Sequence, residues 1–371
     1  MPWNSQFFRA TLLKFRTLIN HRFSNRTNLL VLVTVLAACV VILGVTTAFL
    51  LTPANYDEDY LDQQPVDASA DIFRHPLTGV AIDTPFENIP QVYAVMIENS
   101  SDAWPLSGIE DAFLVIEAPV EAGIPRFEAF FANDMQVNKI GPVRSARPYY
   151  LDWNDELSGL YAHVGGSPEA LDLIAEYDTL DLNEFSQGEY FWRDTARRAA
   201  PHNVYTSTEL LHEGLDELKP EQAAYDSWQF KLDAPFDVDP LSIVIDWGQG
   251  ELYDVTWVYQ PEINQYLRLQ GNQVVETQDG DQVLANNVVV MATNITVIDS
   301  LGRRQITTVG DGDALVVQDG RMILGRWQKT ERTERLRFYT TAGEELAMNA
   351  GTTWIAVVPS LNRVESFINS P

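Results

Sequence analysis

The sequence is poor in cysteine, histidine and positive charge. One cysteine, Cys39, stands among 371 residues. That excludes an intramolecular disulfide framework and a cysteine-based zinc site. Of the five histidines, none is spaced as a metal-binding pair such as His-x-x-x-His, so no metal site is expected. Basic residues number 25 against 52 acidic ones, a net charge of −27. A general binder of nucleic acid or anionic lipid needs a basic footprint, which this composition lacks. There is no Gly-x-Ser-x-Gly elbow, and no internal repeat of 20–50 residues. Asp279-Gly280-Asp281 and Asp311-Gly312-Asp313 do not fit an EF-hand loop and read as turns. No cofactor is implied. What is present is 46% hydrophobic and 11% aromatic residues, the composition of folded domains rather than of a disordered chain.

The charge is unevenly placed. Residues 1–56 hold Arg9, Lys14, Arg16, Arg22 and Arg26 and no acid, so the rest of the chain carries −32. Between the blocks lies Leu29–Leu51, 23 residues without a charge. At 1.5 Å per residue, a helix of that length spans a hydrocarbon core of about 30 Å. The positive-inside rule puts the N-terminus in the cytoplasm and the acidic bulk outside. Leu36-Ala37-Ala38-Cys39 has a second reading, as a lipobox whose cysteine is lipidated after cleavage. Twelve apolar or small uncharged residues follow Cys39, and the basic lead is 28 residues long; both favour an uncleaved helix. Either reading tethers the chain to the cell membrane with its bulk extracytoplasmic. Residues 52–75 are polar and acidic and read as a tether reaching roughly 25–30 Å as a flexible coil.

Beyond the tether, strand-like and helix-like runs alternate. Val92–Ile97, Phe113–Glu117, Phe127–Ala132 and Leu160–Val164 read as short buried strands. Val143–Leu157 reads as helical, limited by Pro148. Ser167-Pro168-Glu169 starts a helix, with serine as cap, proline at the first position and glutamate at the positive end. Ser207–Leu218 forms another, capped by Ser207 or Thr208. From Ser242 the runs are short and β-type, from Ile243–Trp247 to Thr353–Val358, divided by turns such as Asp319-Gly320. The expected architecture is an α/β (or α+β) N-terminal ectodomain over 76–232 plus a mainly-β C-terminal domain over 240–371, preceded by one transmembrane helix. The second half reads as a β-sandwich or barrel; the lesser alternative is that some of its strands extend the first domain's sheet.

One region departs from the acidic background. Met135–Leu151 contains no acid but holds Lys139, Arg144 and Arg147. A second basic island holds Arg193, Arg197, Arg198 and His202, and Arg126 stands alone in AGIPRF. Guanidinium groups grip carboxylates and phosphates bidentately. The turn from His163 through Gly165, Gly166 and Ser167 offers backbone N–H groups at a helix N-terminus, an anion-binding arrangement. These elements predict a ligand site formed by Arg126, Arg144, Ser145, Arg147, His163, Gly165, Gly166, Ser167, Arg193, His202 and Asn203. The competing reading pairs each arginine with one of the many acids; Glu98, Glu117 and Glu121, at the ends of apolar runs, are the candidates for Arg126 and Arg144. For proton transfer the candidates are His163, His202 and Glu117. A core histidine satisfied by its neighbours is the competing reading of His163, and helix capping accounts for Ser167.

In these residues the chain resembles the YerB-like family of bacterial membrane-anchored envelope proteins. The resemblance rests on HPLTG (75–79), PLSG (105–108), VEAGIPRF (120–127), IGPVRSARPYY (140–150), HVGGSPEA (163–170), FWRD (191–194) and APHNVYTS (200–207), in that order. GRWQK (325–329) and AGTTWI (350–355) are similar to its β-rich second domain. Where the family pattern has a Gly-Gly-Ile-Thr-Arg turn, this chain has Ala122-Gly123-Ile124-Pro125-Arg126. The resemblance implies an envelope lipoprotein carrying a domain of unknown function, and it brings no activity with it. Three functions fit the residues. The first is a module that binds an anionic small molecule or envelope polymer through its arginines. The second is an envelope hydrolase or transferase acting on a phosphate- or glycan-containing substrate. The third is a scaffold for membrane-protein partners.

Overall fold

The computed structural model describes residues 72–220, 222–236 and 241–368, which belong to one unit, Tyr56–Pro371. The segment 1–28 expected to be cytoplasmic, the expected anchor 29–51 with Cys39, and the expected tether up to residue 71 lie outside the described residues. Among the described residues no helix is long and apolar enough to cross a membrane.

The central element is a ten-stranded mixed sheet. In chain order its strands are β1 (Val92–Ile97), β2 (Leu114–Pro119), β3 (Pro125–Ala132), β4 (Leu160–His163) and β5 (Asp181–Asn183). A second sheet then begins with β6 (Leu241–Ile245), β7 (Val255–Gln260) and β8 (Gln265–Gln270). The chain returns to the large sheet with β9 (Asn287–Ala292), β10 (Gly310–Gln318), β11 (Arg321–Lys329), β12 (Arg337–Thr340) and β13 (Thr353–Val358). It ends on β14 (Val364–Ile368), which pairs with β6. The large sheet runs β12-β11-β10-β9-β13-β2-β3-β1-β4-β5. Strands from the second half of the chain therefore extend the sheet that the first half begins, through the parallel pairing of β13 with β2. The whole is a mixed α+β fold with a mainly β C-terminal region and three α-helices among the described residues.

Both faces of the large sheet are covered, and that explains its continuous apolar strands. On one face Val95, Ile97, Val115 and Phe127 pack against Ile243, Trp257 and Tyr266 of the second sheet. On the other, Ala94, Met96, Ile116 and Tyr161 pack under two helices, α1 (Pro148–Asp155) and α2 (Pro168–Tyr177). Helix α1 starts at Pro148 because proline is favoured at the first helical position. Helix α2 is capped by Ser167 Oγ, which accepts from Ala170 N–H at 3.2 Å. The third helix, α3 (Thr208–Leu218), is capped in the same way by Ser207. Asp319 and Gly320 both adopt positive φ, 53° and 76°, at the two-residue turn between β10 and β11. That is the turn type whose twist suits a hairpin, and glycine enters it without strain.

Candidate functional site

Strands β9, β13, β2, β1, β4 and β5 all run in one direction. Their C-terminal ends share one edge of the large sheet, where open α/β sheets hold their ligands. Most of the residues predicted from sequence gather there. The loop after β3 lies across the ends of β1 and β4. Arg144 N–H donates to Met96 O at 2.8 Å, and Val164 N–H donates to Arg144 O at 3.0 Å. Ala146 N–H donates to Gly165 O at 2.9 Å, and Val143 N–H to Val204 O at 2.7 Å. The basic loop, the glycine turn and the second basic island are thus fastened backbone to backbone.

The guanidinium groups differ in their partners. Arg147 is held by Glu121 through Nε at 2.7 Å and Nη2 at 2.6 Å, a bidentate pair. Burial alone would push the Glu121 carboxyl up, but the Arg147 hydrogen bonds and charge outweigh it and leave it below the ordinary value. The same pair raises Arg147 against its own burial. Arg144 Nε lies 3.2 Å from Glu98 Oε1 but is not aligned for a hydrogen bond. The other oxygen of Glu98 meets His202 Nδ1 at 2.8 Å. Arg126 is the exception. It is 7% exposed, and its Nη1 donates to the Ser145 carbonyl at 2.7 Å. Among the described residues no carboxylate forms an ion pair with it. Burial, then the charge of Arg147 and to a lesser degree Arg144, lower its pKa to about 10, with Tyr150 opposing. Three guanidinium groups therefore share this edge with two carboxylates, and the most buried of the three has no counter-ion.

The other predicted residues have duties inside the fold. His163 is fully buried; its Nδ1 meets Gly165 O at 2.7 Å and its Nε2 meets Asp181 Oδ1 at 2.5 Å. Neither nitrogen is left to move a proton to a ligand. The glycine turn was expected to present free N–H groups, yet those of Gly165 and Ser167 are taken. Gly165 N–H donates to Asn183 Oδ1 at 3.0 Å, and Ser167 N–H donates to Ala146 O at 3.3 Å. Gly165 and Gly166 instead allow close approach, with Gly165 at φ 58° beside the Phe185 ring and Gly166 against Ala146. Arg193 reaches Glu184 at 2.8 Å and Asn203 Oδ1 at 3.4 Å, and Asn203 in turn donates to Arg198 O. Glu117 is not at this edge. Strand side chains alternate, so Glu117, paired with Phe127, faces away from Arg126, which is paired with Ala118. Both Glu117 oxygens are held, by Arg268 at 2.8 and 2.9 Å and by Trp354 Nε1 at 2.8 Å. Among the described residues there is no cluster suited to a metal ion. Sequence reasoning missed Asp181, Asn183 and Glu184, which hold His163, Gly165 and Arg193. Their only signal is a three-residue strand beside β4.

Comparison with known proteins places the chain. Residues 77–221 match the N-terminal domain, and residues 243–355 the C-terminal domain, of the family described as "Protein of unknown function (DUF3048)". The chain belongs to the YerB-like DUF3048 family. It is 29% identical over 297 residues to the Bacillus subtilis (strain 168) protein named "Putative lipoprotein YerB", covering 77% of this chain and 86% of that protein. The crystal structure of YerB from Bacillus subtilis superposes with a TM-score of 0.71 at 26% identity, over 80% of this chain and 99% of that one. In this DUF3048 member Ala122 adopts the left-handed conformation at φ 60°, a geometry that glycine enters more readily.

Proposed function

We propose that this protein is a membrane-anchored extracytoplasmic receptor for an anionic group, a phosphate or carboxylate of an envelope component, held by Arg126, Arg144 and Arg147. One observation carries the reading: Arg126 is a buried cation with no carboxylate partner among the described residues, set beside two other guanidinium groups. A buried charge left unpaired destabilises a fold, so its retention points to a counter-ion that arrives from outside. Arg144 and Arg147 keep 22% and 14% of their side chains exposed and front the buried Arg126. Binding is preferred to catalysis because His163 and Glu117 use their polar atoms within the fold. The anchor is the uncharged 29–51 run, as a helix or through lipidated Cys39. The lipoprotein name of the Bacillus relative supports an envelope location.

The test uses the full chain in phosphatidylcholine nanodiscs, titrated calorimetrically with inorganic pyrophosphate and with succinate. Arg144→Ala together with Arg147→Ala should weaken binding of the preferred probe tenfold or more, since a charge-assisted hydrogen bond contributes about 1.5–3 kcal/mol. Wild-type affinity in that variant, with its circular dichroism unchanged, would end the proposal.

A further inference from the structure

Across the large sheet from Arg126, a cavity of about 270 Å³ opens between that sheet and the second one. Phe127 and Trp354 form its floor, edge to face with ring centroids 5.4 Å apart. Arg268 lies 4.5 Å from the Trp354 ring, 1% exposed. Its guanidinium fork closes on Glu117, so the pair adds no net charge to the floor. Leu106 and Val283 supply apolar wall from distant parts of the chain.

Asn99 is the polar group that stands out on this lining. It is 2% exposed. Its Oδ1 accepts from Trp104 Nε1 at 2.9 Å and from Gln270 Nε2 at 3.2 Å. An indole N–H can only donate, so the amide orientation is fixed with oxygen toward Trp104. The Asn99 Nδ2 group is then a buried donor, and among the described residues nothing accepts from it. Buried donors in native proteins are nearly always paired, so one without a partner on a cavity wall is a place for a ligand acceptor. The surroundings also select charge. Glu276 lines the cavity. Glu110, one residue from the lining Ile109, has its carboxyl pushed up, by burial above all, with Asp111 and Asp281 adding to it. An anion is disfavoured here, in contrast to the arginine edge.

We infer that this cavity is a second binding site, for a neutral and mainly apolar group bearing one carbonyl oxygen, an acyl or aryl amide of about ten non-hydrogen atoms. The oxygen accepts from Asn99 Nδ2–H, and the apolar part lies on Phe127 and Trp354. The volume suits this class, because cavities of about 150 Å³ already take benzene. A ring with a short amide arm fills the remainder. Such a ligand satisfies the orphan donor without bringing a charge against Glu276.

The full chain in phosphatidylcholine nanodiscs is titrated with N-benzylacetamide, phenylacetate and toluene by ligand-observed NMR, with empty nanodiscs subtracted. N-benzylacetamide should bind one per chain, at least tenfold more tightly than phenylacetate. Asn99→Leu should weaken N-benzylacetamide fivefold or more and leave toluene unchanged, a split that a merely structural role for Asn99 does not produce. Should Asn99→Leu fail to fold, Asn99→Asp keeps the acceptor that Trp104 and Gln270 use and removes the donor; the same loss is expected. Val283→Phe should fill the cavity and abolish binding of both neutral probes. The inference is overturned by absence of saturable binding up to the solubility limit. It is equally overturned by undiminished binding in Val283→Phe, or by a preference for phenylacetate.

Discussion

Glu117→Met should lower the stability of the folded chain by about 3–5 kcal/mol, the usual result of removing one partner from a buried ion pair. Glu117 is fully buried on β2 of the large sheet, and Arg268 is 1% exposed on β8 of the second sheet. Their two parallel hydrogen bonds, at 2.8 and 2.9 Å, join the two sheets. Without Glu117, the Arg268 cation stays buried among Phe127, Trp257 and Trp354. Ring faces attract a cation but do not replace a carboxylate. The Trp354 indole N–H loses its acceptor as well. Glu117→Met combined with Arg268→Met should recover most of the loss, because two apolar side chains of similar volume leave no orphaned charge. Urea unfolding followed by tryptophan fluorescence measures all three proteins. A single replacement costing under about 1 kcal/mol would show that the sheets are joined by packing alone.

Glu128→Gln should flatten the dependence of stability on pH and stabilise the protein at neutral pH. Glu128 lies on β3, fully buried, and neither of its oxygens has a hydrogen-bond partner among the described residues. Burial first, then the charges of Asp155, Glu156 and Asp152, hold its pKa well above the ordinary 4.5. The folded chain therefore keeps the proton, while the unfolded chain releases it above about pH 4.5. The folded state binds more protons than the unfolded one, so stability falls as pH rises. The fall is about 1.4 kcal/mol per pH unit for as long as the buried acid stays neutral. Glutamine has nearly the same shape and no proton to lose. The stability difference between Glu128→Gln and wild type should be near zero at pH 4.5 and should grow toward pH 8. Parallel stability profiles for the two proteins would contradict this.

Local patterns predicted local structure well. Val92–Ile97 and Thr353–Val358 are strands at the expected boundaries because both faces of the sheet are covered and their apolar runs are unbroken. Helices α2 and α3 follow from Ser167 and Ser207, whose caps need only neighbouring residues. The expected helix over Val143–Leu157 shrank to Pro148–Asp155, since residues 143–146 are held extended by Met96, Val204 and Gly165. Sheet order was not legible, because it depends on contacts such as Thr353 with Leu114. The arginines of the candidate site were legible because basic residues are scarce. So was Glu98 as an acid for Arg144. That Glu121 pairs with Arg147 was not, since the two meet only once the sheet edge is assembled. The cavity opposite was invisible for the same reason: Asn99 and Gln270 are 171 residues apart.

The arginine edge is most directly tested by measuring pyrophosphate affinity and folding stability together in Arg126→Met. If Arg126 is kept for an external anion, methionine should weaken binding tenfold or more. It should also leave stability unchanged or higher, since it removes a buried cation that has no counter-ion among the described residues. Full affinity combined with a loss of several kcal/mol in stability would mean that Arg126 serves the fold and that the edge is not a binding site.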